Sequence, residues 1–195
     1  MLSFFKKWSA NRKWKKAVRR SQNEFFKDDE RFKKLTHEEF RLLEDDKLFQ
    51  AAISWIFGKT QIIAPTRHLE ILEVLPLPCQ VVIAVNAVDG EINNGGFNQY
   101  YFNESHILTI EASDALSAIG ASRLSAIAKR ADWTYQQIKG QLGNRKESTM
   151  EEFMASYENN PLNDFDTEYY AASESESVYE LLVLYIKENI DCFGD

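Results

Sequence analysis

The stretch that most constrains this fold is Val81 to Val85, the one run in the chain that is rich in β-branched residues. Such residues favour β-sheets, but a strand without a partner cannot satisfy its own backbone hydrogen-bonding groups. Elsewhere, apolar residues recur at intervals of three and four, which is typical of amphipathic helices. We therefore predict a single all-α domain of about seven to nine helices, in which residues 79–88 form a buried helix.

Composition is consistent with a soluble domain and narrows the cellular location. The chain has 195 residues, of which 44% are hydrophobic and 27% charged, as in an ordinary single domain. No apolar run reaches the length of about 20 residues that spans a bilayer, and the first residues lack the pattern of a signal peptide. We expect a cytoplasmic protein, in which Cys79 and Cys192 are reduced thiols. A disulfide between them stays open.

Local capping signals place several helices. Thr36 and Glu39 have the spacing of a capping box, and the apolar residues that follow predict one helix over 37–57, closed by Gly58. Four more helices are predicted: 106–119 after a Ser105 cap, 122–138, one after Ser148-x-x-Glu151, and a last one after Ser173-x-x-Glu176.

The stretch from Asp89 to Asn103 is unusual because it holds four asparagines, one glutamine, four aromatics and a Gly-Gly pair in fifteen residues. In a helix each glycine costs about 1 kcal/mol relative to alanine, so we expect a kink or a close backbone approach there. Two interpretations stay open. The amides cap broken helix ends while the aromatics fill the core, or a small-molecule or partner site is lined by Glu91, Asn94, Asn98, Gln99 and Asn103.

Charge is distributed unevenly along the chain, whose net charge is −7. Residues 1–22 hold eight basic residues and no acid, which leaves 15 basic and 30 acidic residues, a net of −15, from position 23 onward. Residues 151–195 carry twelve acids and one base, Lys187, a net of −11. We divide the chain into a basic amphipathic arm, 1–22, and one all-α domain, 23–195.

The basic arm has three interpretations. Leu2, Phe5 and Trp8 can share one side of a helix, so the arm can pack its aromatic residues on the body. Residues 1–20 can instead lie on an anionic membrane surface. Finally, the arm can bind nucleic acid or the acidic face of its own chain, and in that last case it would be autoinhibitory because it would compete with a cationic partner.

The acidic C-terminal region is a candidate partner surface. Asp164, Asp166 and Glu168 alternate in a segment, 163–170, that we predict to be irregular; if it is extended, its carboxylates line one side about 6.6 Å apart. Three further acids continue the charge onto the last helix: Glu174, Glu176 and Glu180. Such a run can be a solvated face, or it can engage the basic surface with which another protein meets the charged DNA duplex.

Motifs for catalysis are missing from the sequence. His37, His68 and His106 are scattered and do not have zinc-ligand spacing. There is no G-x-S-x-G nucleophile motif, no P-loop and no dinucleotide-binding glycine pattern. We therefore predict a protein that is not an enzyme and that needs no cofactor or metal. The alternative is an enzymatic site at the Asn-Gly-Gly stretch, formed by side chains that meet only in space.

The run from Glu91 to Asn103 resembles the signature of the DNA-mimic protein family, an all-helical family largely described as a domain of unknown function. The pattern is an acidic residue, Asn-Gly-Gly-Phe, a glutamine, an aromatic pair and an asparagine. It is matched by Glu91, Asn94, Gly95, Gly96, Phe97, Gln99, Tyr100 and Asn103. Weaker similarity extends the resemblance over about residues 65 to 193.

The resemblance implies a non-catalytic acidic protein, often dimeric, whose carboxylates imitate DNA phosphates and occupy a basic DNA-binding protein such as a transcription factor. The motif residues would then organise the fold. The partner would be bound by the acidic C-terminal region, with the candidate residues Asp164, Asp166, Glu168, Glu174, Glu176 and Glu180. We expect no direct binding of nucleic acid by the acidic body, and a homodimer.

Overall fold

The computed structural model describes residues 27–60, 72–142 and 148–195, and within these ranges the chain is helical and has no strand. The prediction of an all-α domain is therefore confirmed. The basic arm, 1–22, lies outside the described residues. The described α-helices are α1 (His37–Arg41), α2 (Asp45–Thr60), α3 (Leu77–Phe102), α4 (Ala112–Ala118), α5 (Ser122–Ile138), α6 (Met150–Ala155), α7 (Asn163–Ser173) and α8 (Val178–Glu188), followed by a 3-10 turn at Ile190–Cys192.

The core is built around α3, which begins after Pro76 and runs for 26 residues. All five residues from Val81 to Val85 are buried in it, because α2, α4, α7 and α8 all pack against α3. A helix surrounded in this way is apolar on every side. The prediction that residues 79–88 form a buried helix is thus confirmed.

The predicted single helix over 37–57 is wrong, because the chain breaks between α1 and α2. The Thr36–Glu39 capping box is present, but α1 ends at Arg41 and α2 runs from Asp45 past Gly58 to Thr60. Phe40 of α1 contacts both Phe193 near the C-terminus and Trp55 of α2, and α2 packs on α3 and α8. One continuous helix would hold Phe40 and Trp55 about 22 Å apart, at 1.5 Å per residue, so the break is what allows these two rings to meet.

The predicted helix over 106–119 starts later, at Ala112. Ser105 does not cap a helix, because its hydroxyl donates to the Glu91 carboxylate at 2.9 Å. Gly120 then ends the helical segment with φ +86°, a left-handed conformation that glycine adopts without strain. The next helix, α5, has the predicted bounds.

Two predicted caps are displaced along the chain. The box that begins α6 is Thr149 with Glu152, one residue after the predicted pair. Ser177 caps α8 by accepting from the amide of Glu180, while Ser173 still belongs to α7, where its hydroxyl donates to the Tyr169 carbonyl. The apolar stripe that α8 buries is Val178, Leu182, Val183 and Ile186.

The prediction that residues 163–170 are irregular is wrong, because they belong to α7. The turn before α7 is fixed by Asn160, whose side-chain oxygen accepts from the amide of Leu162 at 2.9 Å. Leu162 and Tyr169 are fully buried and Ala172 nearly so. Burial of this face holds the acid-rich segment in a helix, although its charge favours solvent.

Candidate functional site

The long helix α3 is kinked at Gly95 and Gly96. Gly96 has φ +73° and ψ −176°, a combination that is essentially confined to glycine. A β-carbon at this position would also lie 2.5 Å from the carboxyl carbon of Asp166. The kink and the close approach expected at the glycine pair are therefore both present, and the group that approaches Gly96 is the Asp166 carboxylate.

Asp166 of α7 caps the second half of the kinked helix. Its Oδ1 accepts a hydrogen bond from the backbone amide of Phe97 at 2.7 Å, which satisfies one of the donors that every helix start leaves free. Burial raises the pKa of this carboxyl group, and the Phe97 amide opposes the rise. Asp166 is thus an internal cap, and its side chain is half-buried.

Tyrosine hydroxyl groups satisfy the carbonyl groups on the other side of the kink. Tyr170 donates to the carbonyl of Ile92 at 2.7 Å, and Tyr157 donates to that of Gly95 at 2.8 Å. A helix end leaves its last carbonyls without intrahelical partners. The kink is therefore held by side chains from α7 and from the segment before it.

A buried amide pair lies beside the kink. Asn98 and Asn160 are both buried, and the Asn160 amide nitrogen donates to the Asn98 side-chain oxygen at 2.9 Å. Asn98 donates in turn to the Ser156 hydroxyl at 2.8 Å. Because buried amides are costly when unpaired, this network ties the Asn-Gly-Gly stretch to the turn after α6.

Glu91 is the centre of a second network within the same stretch. Its carboxylate accepts from Gln99 at 2.7 Å, from Asn103 at 2.9 Å and from Ser105 at 2.9 Å. A carboxylate has about four acceptor positions, so three are taken by the protein itself. Asn94 is exposed and makes none of these bonds. The geometry favours the structural interpretation of the stretch over a small-ligand site.

The remaining motif residues pack in the core. Phe97 and Tyr100 are buried, and Phe97 contacts the rings of Phe165 and Tyr169 on α7. Burial raises the pKa of the Tyr100 hydroxyl group. These residues join α3 to α7 and leave the charged face of α7 outside.

The acids of α7 do not lie on one extended edge about 6.6 Å apart, because successive helical residues turn by about 100°. Asp164 and Glu168, four residues apart, point outward, whereas Asp166 between them points to the kink. Glu168 pairs with Arg130 of α5. The alternation in the sequence thus separates one structural carboxylate from two surface carboxylates.

Glu176 is also a helix cap. Its carboxylate oxygens accept from the backbone amides of Arg123 and Leu124 at 3.0 and 3.1 Å, so it stabilises the start of α5. Glu174 and Glu180 are exposed. The exposed residues among the predicted partner-binding set are Asp164, Glu168, Glu174 and Glu180, which we call the acidic surface.

Most of the acidic surface has no compensating charge in the described part of the chain. Among the ion pairs found there, only Glu168 contributes from this surface. Asp164, Glu174 and Glu180 are left without a basic partner in residues 27–60, 72–142 and 148–195. Exposed carboxylates of this kind attract basic groups.

The region that contains the kink and the acidic surface also matches a family model. That model, described as DMP19-like protein, aligns with residues 73–189, which are 117 of the 195 residues. The chain belongs to the DMP19-like protein family. A comparison with curated proteins found no match.

The matched region of this DMP19-like protein runs from the segment before α3 to the turn after α8, and it leaves out α1 and α2. It lies within the range of 65 to 193 over which the sequence resembles DNA mimics. The kink and the whole acidic surface fall inside it. The family assignment therefore covers the residues on which a function can be argued.

The chain has a further polar cluster that sequence reasoning missed. Tyr101 and Tyr135 stack with ring centroids 3.9 Å apart, and His106 lies beside both rings. A cavity of about 10 Å³ opens next to them, with Glu111 and Asp132 in its wall. This volume is close to that of one water molecule, so the cluster is too tight for a metabolite.

A second cleft, of about 500 Å³, lies between α1 and the C-terminal residues. His37 and Arg41 line it, but Arg41 is paired with Asp191, and the His37 ring nitrogen lies against the Phe193 carbonyl. No group of three or more metal-binding side chains occurs in the described ranges. None of the helices described there is long and apolar enough to cross a membrane.

The residues that sequence reasoning did not find are those that hold the motif from outside. Tyr157 and Asn160 approach the kink from a segment more than 50 residues away in sequence. The turn at Asn159–Pro161 was predictable from composition, but no spacing indicated which helix its side chain would reach. The sequence predicted that Ser105 caps a helix, but its hydroxyl group donates to the Glu91 carboxylate instead.

Proposed function

We propose that this protein is a DNA mimic, which uses its acidic surface to occupy the DNA-binding face of a basic protein. The observation that carries the proposal is the set of exposed carboxylates on α7 and α8 that have no basic partner in the described ranges. Membership of the DMP19-like family supports it. The charge of the surrounding region, −11 over residues 151–195, adds long-range attraction for a cationic partner.

The arrangement of the acidic surface suits a phosphate backbone better than a single cation. Asp164 and Glu168 are about 6 Å apart along the helix axis, and Glu174 is about 15 Å from Asp164, at 1.5 Å per residue. A partner that neutralises DNA phosphates with several lysine and arginine residues has charges spread over similar distances. Binding is electrostatic, so it weakens as salt rises.

The roles of the six predicted carboxylates differ in this proposal. The exposed ones contact the partner, whereas Asp166 and Glu176 keep the surface in shape by capping α3 and α5. The protein is not an enzyme in this proposal. We further propose that it is a cytoplasmic homodimer, which sedimentation at several protein concentrations tests directly.

The test is a pull-down from native lysate with a surface variant, Asp164→Asn/Glu174→Gln/Glu180→Gln. These exposed residues lack ion pairs in the described ranges, so their replacement should leave the fold intact. The matched control changes three exposed acids elsewhere by the same total charge: Glu44→Gln, Asp46→Asn and Glu73→Gln.

The proposal expects a basic DNA-binding protein to be retained by wild type and by the control, and to be lost from the surface variant. Duplex DNA should displace it from wild type, because the two compete for one face. If wild type and the surface variant retain the same proteins, the acidic residues are only a solvated face and the proposal is wrong.

A further inference from the structure

We propose that residues 1–22 bind the exposed face of α8 in the same chain. This face consists of Tyr179, Glu180, Leu184 and Glu188, all of which are exposed. Because Glu180 belongs to the acidic surface, the bound arm competes there with the basic partner. That competition rests on the proposed function, but the binding of the arm does not.

The exposed face of α8 is both acidic and apolar. Glu180, Leu184 and Glu188 are spaced by four residues, so they form one stripe along the helix. Leu184 is 55% exposed and Tyr179 is 48% exposed. Neither glutamate makes an ion pair in the described ranges, and the one basic residue of α8, Lys187, is paired with Asp45. This face of α8 therefore combines negative charge with exposed apolar side chains.

Residues 1–22 have the complementary composition. They contain eight basic residues and no acid. Leu2, Phe5 and Trp8 have the spacing that brings three side chains to one side of a helix. A segment of this kind can cover Leu184 and Tyr179 with its apolar residues while its lysines and arginines reach the glutamates. The complementarity is therefore in charge and in hydrophobicity together.

The described part of the chain begins next to α2, a helix that packs on α8. The described part begins at Lys27, and Asp28 pairs with Lys47 of α2 at 3.3 Å. Phe49, two residues further along α2 and therefore on a different side of that helix, packs edge-on against Tyr179 of α8, with ring centroids 6.2 Å apart. Residues 23–26 can span about 13 Å when extended. The arm is thus tethered next to α2, a helix that packs on α8, and this tether raises its effective concentration at the stripe.

Trypsin tests the proposal on the full chain, because every basic residue of the arm is a cleavage site. The variant Glu180→Gln/Glu188→Gln removes both charges of the stripe. The matched control, Glu151→Gln/Glu158→Gln, removes two exposed charges from α6 and the turn after it. Mass spectrometry follows cleavage within residues 1–22 and, as a check on folding, cleavage elsewhere.

We expect the arm of the α8 variant to be cleaved about fivefold faster than that of wild type, since exposed ion pairs contribute modestly. The control should match wild type, and raising the salt should remove the difference. Equal arm cleavage in wild type and the α8 variant overturns the proposal. Protection that grows with protein concentration also overturns it, because the arm would then bind a second copy. Neither outcome depends on the partner sought by pull-down.

Discussion

Replacing Gly96 with alanine is the sharpest test of how the kink is held. Alanine at φ +73° and ψ −176° is strained by about 1–3 kcal/mol, and its β-carbon would enter the Asp166 carboxylate. When Asp166 moves away, the Phe97 amide loses its cap, which costs about 0.5–2 kcal/mol more. We expect Gly96→Ala to lower the free energy of unfolding by about 2–5 kcal/mol.

A loss of this size is a large part of the 5–15 kcal/mol that stabilises a typical domain. For a chain of this length it lowers the melting temperature by about 5–15 °C. Urea unfolding followed by far-UV circular dichroism measures the free energy, and a thermal scan measures the shift. Both readouts are independent of any binding partner.

Gly90→Ala is the matched control, because Gly90 lies in the same helix with helical geometry and nothing within 4 Å of an added β-carbon. There alanine should stabilise the protein by up to about 1 kcal/mol. In an Asp166→Ala background, the cost of Gly96→Ala should fall to the backbone strain alone. If the free energy of unfolding of Gly96→Ala lies within about 1 kcal/mol of the wild-type value, the close packing of Gly96 and Asp166 is not what holds the kink.

Three further predictions concern titration and local contacts. Burial raises the pKa of Asp166 above its ordinary value of 3.8, so the folded state binds the proton more tightly than the unfolded state. The free energy of unfolding therefore falls as the pH rises from 3.8 through the folded-state pKa. Asp166→Asn should lessen this fall in urea titrations at several pH values. Tyr170→Phe should cost about 0.5–1.5 kcal/mol in the same assay, because the Ile92 carbonyl loses its donor; an unchanged midpoint contradicts this. Burial raises the pKa of Cys79 to about 12, so a thiol reagent should modify half-buried Cys192 first and Cys79 only on unfolding, and equal rates in the folded protein would refute it.

Local features of the sequence predicted the kink but not its partners. Two adjacent glycines in a helical context indicate a backbone that a side chain would obstruct, and Gly96 fulfils this. The amides of the stretch were expected to cap broken helix ends, but the Asn98 side chain bonds to the side chains of Ser156 and Asn160 instead. Yet the carbonyls at the kink are bound by Tyr157 and Tyr170, whose contribution depends on how α7 crosses α3.

For the acidic residues, too, the sequence predicted only part of what the structure shows. Their number and position were evident from the sequence, but their division into surface carboxylates and caps was not. Asp166 and Glu176 looked like their neighbours, and each turned out to bind backbone amides of a distant helix. A charge pattern gives the sign of a surface, whereas the direction of each side chain depends on the helix that carries it.

The sequence by itself determined that this protein is all-α, that Val81 to Val85 is a buried helix, and that Thr36 caps α1, because periodicity and capping act over a few residues. The tertiary structure decided that residues 163–170 are helical and that Asp166 points inward. Burial of Leu162 and of Tyr169, which packs on Phe97 of α3, outweighs the local preference of an acid-rich segment for solvent. Packing between distant helices, which no local pattern encodes, therefore selects the carboxylates that are left to meet a partner.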